Sequence, residues 1–137
     1  DPVLAAGFLR ALERAADGPA RYERLGLERD RIEAALGDLA QPNVTADRVP
    51  HVSSLFVPGA RGDELVAALD LAGLSVSSGS ACSAGSSEPS PALSAMLGDE
   101  RALGSIRLSL GDATRPAEVD RAISVLIRLL SARRANP

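Results

Sequence analysis

At 137 residues, with 45% hydrophobic and only 2% aromatic side chains, the chain suits one domain whose core must be built from Leu, Val, Ile and Ala. Its net charge of −3 comes from 15 basic and 18 acidic residues mixed along the sequence, with no basic stripe and no interleaved aromatics, which argues against nucleic acid as a partner. No apolar run approaches the roughly 18 residues that read as a membrane span, and a single cysteine forms no internal disulfide, as expected in a reducing cytoplasm.

Asp1-Pro2 reads as an N-cap followed by proline at the first helical position. The chain opens there without methionine, and it is expected to be a piece of a longer protein. Leu4, Phe8, Ala11, Leu12 and Ala15 follow at spacings of three and four, giving a helix that ends near Asp17-Gly18-Pro19. A second helix is expected from Ala20 to Leu36, with Tyr22, Leu25, Ile32 and Leu36 on one face. Its other face (Arg21, Glu23, Arg24, Glu28, Arg29, Asp30) reads as a solvated surface. Two prolines between Gln41 and Pro50 mark an irregular connection and a boundary.

Val52 to Val57 reads as a strand stopped by Pro58-Gly59, Gly62 to Ala72 as a helix with Leu65, Val66 and Leu69 inward, and Leu74 to Val76 as a short strand. Ser77 to Ser87 contains only Ser, Gly, Ala and Cys, a composition that predicts a mobile loop. Ser90-Pro91 opens a short helix through Leu97. Ser105 to Leu110 alternates as a half-buried strand, with Ile106, Leu108 and Leu110 on the apolar side. Thr114 is expected to cap a last helix striped with Val119, Ile123, Leu126, Ile127 and Leu130, and Ala132 to Pro137 to fray. This order predicts an α/β (α+β) domain, a short sheet packed by helices on one face.

Two residues stand out chemically. Cys82, in the Ser/Gly stretch, is either an accessible nucleophile or an idle loop cysteine; a free thiol titrates near about 8.5 and needs help to be a thiolate at neutral pH. Arg107 lies on the polar side of its strand with Ser105 and Ser109. There it is either a clamp for a carboxylate or a solvent-facing arginine paired with a neighbouring acid. The Ser/Gly stretch lacks the Gly-Lys-Ser/Thr ending of a phosphate-binding loop. His51, the only histidine, has no recognisable carboxylate partner or second metal ligand and reads as structural; no metal site is expected. All 15 basic residues are arginine, so no side chain here can form a Schiff base.

Ser77-Ser78-Gly79-Ser80-Ala81-Cys82, Glu88-Pro89-Ser90 and Ser105-Ile106-Arg107-Leu108-Ser109-Leu110-Gly111 resemble, in order and separation, the cysteine desulfurases of the class V, fold-type I pyridoxal-phosphate enzymes. Pro50-His51 and the acidic entry to the last helix (Glu118, Asp120) are similar too. Where the family often has an asparagine, this sequence reads Ser53-Ser54-Leu55-Phe56. The resemblance implies a helical connecting segment over 1–40 and a small C-terminal domain over 41–137. It implies that Cys82 takes sulfur from L-cysteine as a persulfide, releasing alanine, and that Arg107 grips the substrate carboxylate. Pyridoxal 5'-phosphate would be bound by a large domain outside this chain, so this chain alone is expected to be inactive. The parent would be a cytoplasmic homodimer that passes sulfur to an acceptor or iron–sulfur scaffold protein, for cluster assembly or tRNA thiolation. Two other readings stay open: a sulfur-carrier module completed by a separate cofactor-binding chain, and a selenocysteine lyase.

Overall fold

The computed structural model describes residues 1–79 and 89–135. Helix α1 (Pro2–Ala16) starts where the Asp1 carboxylate accepts a hydrogen bond from the Val3 amide at 2.8 Å. Helix α2 (Gly18–Leu36) begins after a single intervening residue, Asp17. A 3-10 turn (Gly37–Leu39) leads to the two-residue strand β1 (Gln41–Pro42), and the chain then crosses to β2 (Val52–Phe56). Next come α3 (Gly62–Leu71), α4 (Pro91–Leu97), α5 (Asp99–Leu103), β3 (Ser105–Ser109) and α6 (Pro116–Ala135).

The strands form one antiparallel sheet in the order β1-β2-β3. Directly paired residues share a face. Leu55 with Ile106, and Ser53 with Leu108, therefore point one way, while Val52–Ser109, Ser54–Arg107 and Phe56–Ser105 point the other. The first face meets α2, α3 and α6 in a core of Ile32, Leu36, Leu55, Leu65, Leu69, Ile106, Val119, Leu126 and Leu130. The expected sheet with helices on one face is thus what forms. Among the described residues the cluster between sheet and helices is wholly aliphatic, and Phe56, on the other face of β2, is the one buried aromatic ring.

Ion pairs pin the long β1–β2 connection to α2. Arg48 donates both Nη atoms to Glu33 at 2.8 Å, and the Ser53 hydroxyl donates to the same carboxylate at 2.6 Å. Donating to the Glu33 carboxylate holds the Arg48 guanidinium above its ordinary pKa. Arg29, read from sequence as part of a solvated face, is instead buried and donates to the Val49 carbonyl at 3.1 Å. With that carbonyl and the Asp30 carboxylate, 2.7 Å away, as partners, the buried guanidinium is satisfied.

Gly62 is needed where α3 begins, because its backbone lies against β3. A β-carbon there would stand 2.5 Å from the Ser105 carbonyl oxygen and 3.1 Å from the Ser78 Cβ. Gly62→Ala is therefore expected to destabilise the fold by about 1–3 kcal/mol through overpacking. Urea titration checks this; an unchanged midpoint would mean α3 can move away freely.

Several sequence expectations are corrected. Leu74 to Val76 is not a strand: only Ser77 bridges, antiparallel, to Arg107. Two residues of the expected irregular connection, Gln41 and Pro42, pair with β2. Thr114 does not cap α6; its Oγ1 accepts from the Gly111 amide at 2.9 Å and holds the turn after β3. The start of α6 is closed by Glu118, whose carboxylate accepts from the Arg115 amide at 2.8 Å, half of a capping box. Residues 132–135, expected to fray, remain helical, and α5 had no sequence forecast. Ser105, expected on an open polar face, is only 1% exposed. The stripe on α1 meets no core: Leu4, Phe8 and Leu12 are all more than half exposed.

Candidate functional site

Arg107 sits in the middle of β3, on the sheet face turned away from the core. Ser54 of β2 is its direct cross-strand partner on one side and Ser77 on the other. Two backbone hydrogen bonds close the Ser77 bridge, Arg107 N to Ser77 O at 2.6 Å and Ser77 N to Arg107 O at 3.0 Å. A rigid strand thus carries the guanidinium out of an exposed position in a row Ser54–Arg107–Ser77. Among the described residues it makes no ion pair, so the acid partner that would make Arg107 an ordinary surface arginine is not found there.

One end of the same face is closed by a polar cluster that the sequence did not single out. Asn43 Nδ2 donates to Ser54 Oγ at 3.0 Å and to Ser105 Oγ at 2.8 Å, and its backbone amide donates to the Ser54 carbonyl at 2.8 Å. Arg101, on α5, donates from Nε to Asn43 Oδ1 at 3.3 Å and stacks 4.7 Å from the centre of the Phe56 ring. That geometry suits a cation–π contact and fixes the guanidinium plane. Asn43 lay in a stretch read as connection, and only the pairing of β1 with β2 brings it beside β3.

Cys82 and the Ser/Gly stretch from Ser80 to Glu88 lie outside the described residues. The stretch is bounded on both sides: Ser78 packs at Gly62, and a β-carbon on Gly79 would lie 3.5 Å from the Ser90 Cβ. The chain therefore leaves and returns at neighbouring points, one of them adjoining the Arg107 bridge. His51 is not part of this face. Its ring meets Tyr22 edge-on with centroids 4.5 Å apart, and its carbonyl accepts from the Leu110 amide at 2.8 Å. Among the described residues, no group of His, Cys, Asp or Glu could hold a metal ion, and no helix is long and apolar enough to cross a membrane.

The fold class is that of the NifS-like proteins. A solved NifS-like protein superposes with a TM-score of 0.73 at 25% identity, covering 89% of this chain and 32% of its own. A NifS-like protein from Rickettsia africae gives 0.71 at 22% identity over 90% of this chain and 32% of its own, a likeness of fold alone. No protein-family model matches the chain. Its homologues are cysteine desulfurases, and two of them match nearly all of it. A cysteine desulfurase of Cereibacter sphaeroides is 38% identical over 134 residues, 94% of this chain and 34% of the relative. An IscS-like cysteine desulfurase of Mycobacterium tuberculosis is 39% identical over 133 residues, 92% of this chain and 34% of the relative. The chain spans about a third of the length of these relatives. The resemblance read from the motifs around Cys82 and Arg107 is borne out at the level of family.

Proposed function

We propose that this chain is the small C-terminal part of a cysteine desulfurase, in which Arg107 grips the carboxylate of L-cysteine and Cys82 accepts its sulfur. The observation that carries this is the Arg107 guanidinium, without an ion pair among the described residues, on a strand bridged directly to Ser77. Cys82 follows Ser77 by five residue steps, a reach of at most about 18 Å for an extended chain. Residues 1–40 are proposed as the connection to the remaining domain, with the second half of α2 packed into the small domain. The uncovered apolar face of α1 supports such an arrangement, because Leu4, Phe8 and Leu12 otherwise lie in water.

Pyridoxal phosphate does not fit this chain on its own terms: with no lysine among its 15 basic residues, no side chain can hold the cofactor covalently. The lysine is proposed to lie in the part of the relatives that this chain does not span. Bound there, the cofactor would supply the electron sink for breaking the substrate carbon–sulfur bond. The contribution of this chain is to fix the substrate carboxylate and to present the Cys82 thiolate. That thiolate forms a bond to the substrate sulfur as the substrate C–S bond breaks. The carbon takes up a proton to give L-alanine, and Cys82 is left as a persulfide. The sulfur then passes to an acceptor or iron–sulfur scaffold protein. The complete enzyme is proposed to be a cytoplasmic homodimer, and this chain by itself inactive.

The test is Arg107→Ala in the full-length protein, followed by alanine release at varied L-cysteine. Loss of a charged hydrogen bond is worth about 1.5–3 kcal/mol, or roughly 10- to 100-fold in the apparent KM, with a smaller change in kcat. An unchanged KM would return Arg107 to a structural role and remove the observation on which the proposal stands.

A further inference from the structure

Hydrogen-bond directions around Asn43 leave one proton without a described acceptor. Ser105 donates its hydroxyl hydrogen to the Arg101 carbonyl at 2.5 Å, so toward Asn43 it can only accept. That sets the amide: Nδ2 faces the two serines and Oδ1 faces Arg101 Nε. Ser54 Oγ is therefore an acceptor for Asn43, and its own hydrogen has no partner among the described residues. Ser54 is half-buried and stands directly across from Arg107 on the same face. Such cross-strand pairs hold their Cβ atoms about 4.5–5.5 Å apart. A neutral donor and a charged donor, neither spent on a described residue, thus stand side by side. They match the two oxygens of one carboxylate.

We propose that Ser54 is a second substrate-binding residue, donating its hydroxyl hydrogen to the carboxylate that Arg107 grips, and that Asn43 is the positioning residue that aims it. This rests on Arg107 holding the substrate carboxylate. A hydroxyl on a charged acceptor makes a stronger bond than on a neutral one, so the contact discriminates for substrates that carry the carboxylate. Arg101 completes the device by holding the far side of the Asn43 amide, itself locked against Phe56.

The experiment uses the full-length, cofactor-loaded protein, with substrate affinity read both from the KM for alanine release and from the cofactor's absorbance change on adding L-cysteine. Ser54→Ala is expected to weaken L-cysteine roughly 5- to 20-fold with a smaller change in kcat, and Ser54→Thr to restore affinity. Cysteamine, which lacks the carboxylate, should bind the wild type and Ser54→Ala alike. Asn43→Ala should reproduce most of the loss by itself and add little in a Ser54→Ala background, the signature of one residue acting through the other. If Arg107→Ala weakens L-cysteine and Ser54→Ala does not, the role of Ser54 is overturned while that of Arg107 stands. Equal weakening of L-cysteine and cysteamine by Ser54→Ala also overturns it, since that is general loosening of the sheet. If Arg107→Ala leaves L-cysteine binding unchanged, the underlying reading fails and the inference with it.

Discussion

Cys82→Ser in the full-length protein is expected to abolish persulfide formation and alanine release while leaving pyridoxal phosphate bound. The argument is chemical. A thiol titrates near about 8.5, so a fraction of it is thiolate at neutral pH even without help, and thiolate sulfur is intrinsically nucleophilic. A serine hydroxyl is not ionised there, and an oxygen in its place has no means of carrying sulfur as a persulfide. The substitution exchanges sulfur for the smaller oxygen and adds no bulk. The cofactor's absorbance serves as the control: it should match the wild type, because the cofactor-binding lysine is proposed to lie in another part of the protein. Normal alanine release by the variant would sink the assignment of Cys82.

The second large effect concerns the core. Leu126 on α6 is fully buried and belongs to a cluster that joins α2, α3, β2 and β3. Leu126→Ala leaves a cavity between layers that cannot close without moving the sheet, and is expected to cost about 3–5 kcal/mol. Against a typical total of about 5–15 kcal/mol, that loss unfolds a large share of the molecules on mild heating. Ile127, the next residue, is 37% exposed, and its replacement by alanine should cost far less. Chemical unfolding of both variants checks the contrast. Similar losses would mean that α6 presents a different stripe to the core.

Much of this was readable from residue order. The periodic stripes on α2, α3 and α6 were legible because each is buried on one side only, and β3 because its alternation of Ile106 and Leu108 with polar residues is a two-residue period. The Ser/Gly run and the Ser-Ile-Arg-Leu-Ser segment carried the family resemblance. What escaped the sequence depends on contacts between distant segments. Asn43 gains its role only because two residues of β1 pair with β2, a signal too short to register as a strand. Arg29 and Ser105 carry polar labels, yet each is buried on a partner more than three residues away in sequence, the Val49 carbonyl and the Arg101 carbonyl. Helix α1 shows the opposite case. Its amphipathic pattern is as clear as any in the chain, but a pattern tells which face seeks cover, not whether this chain supplies it.

That last feature bears on the order in which the structure forms. A helix of 15 residues is near the length at which isolated helices are marginal in water, about 12–15 residues. No residue of α1 is buried, whereas α2 and α6 share the core with the sheet. The layers from α2 to α6 therefore hold together without α1. Its Asp1 cap and Pro2 start favour the helical state locally, but lasting structure there requires a surface to receive Leu4, Phe8 and Leu12. Folding of the domain and fixing of its first helix are in this sense separate events, the second waiting on whatever docks against that face.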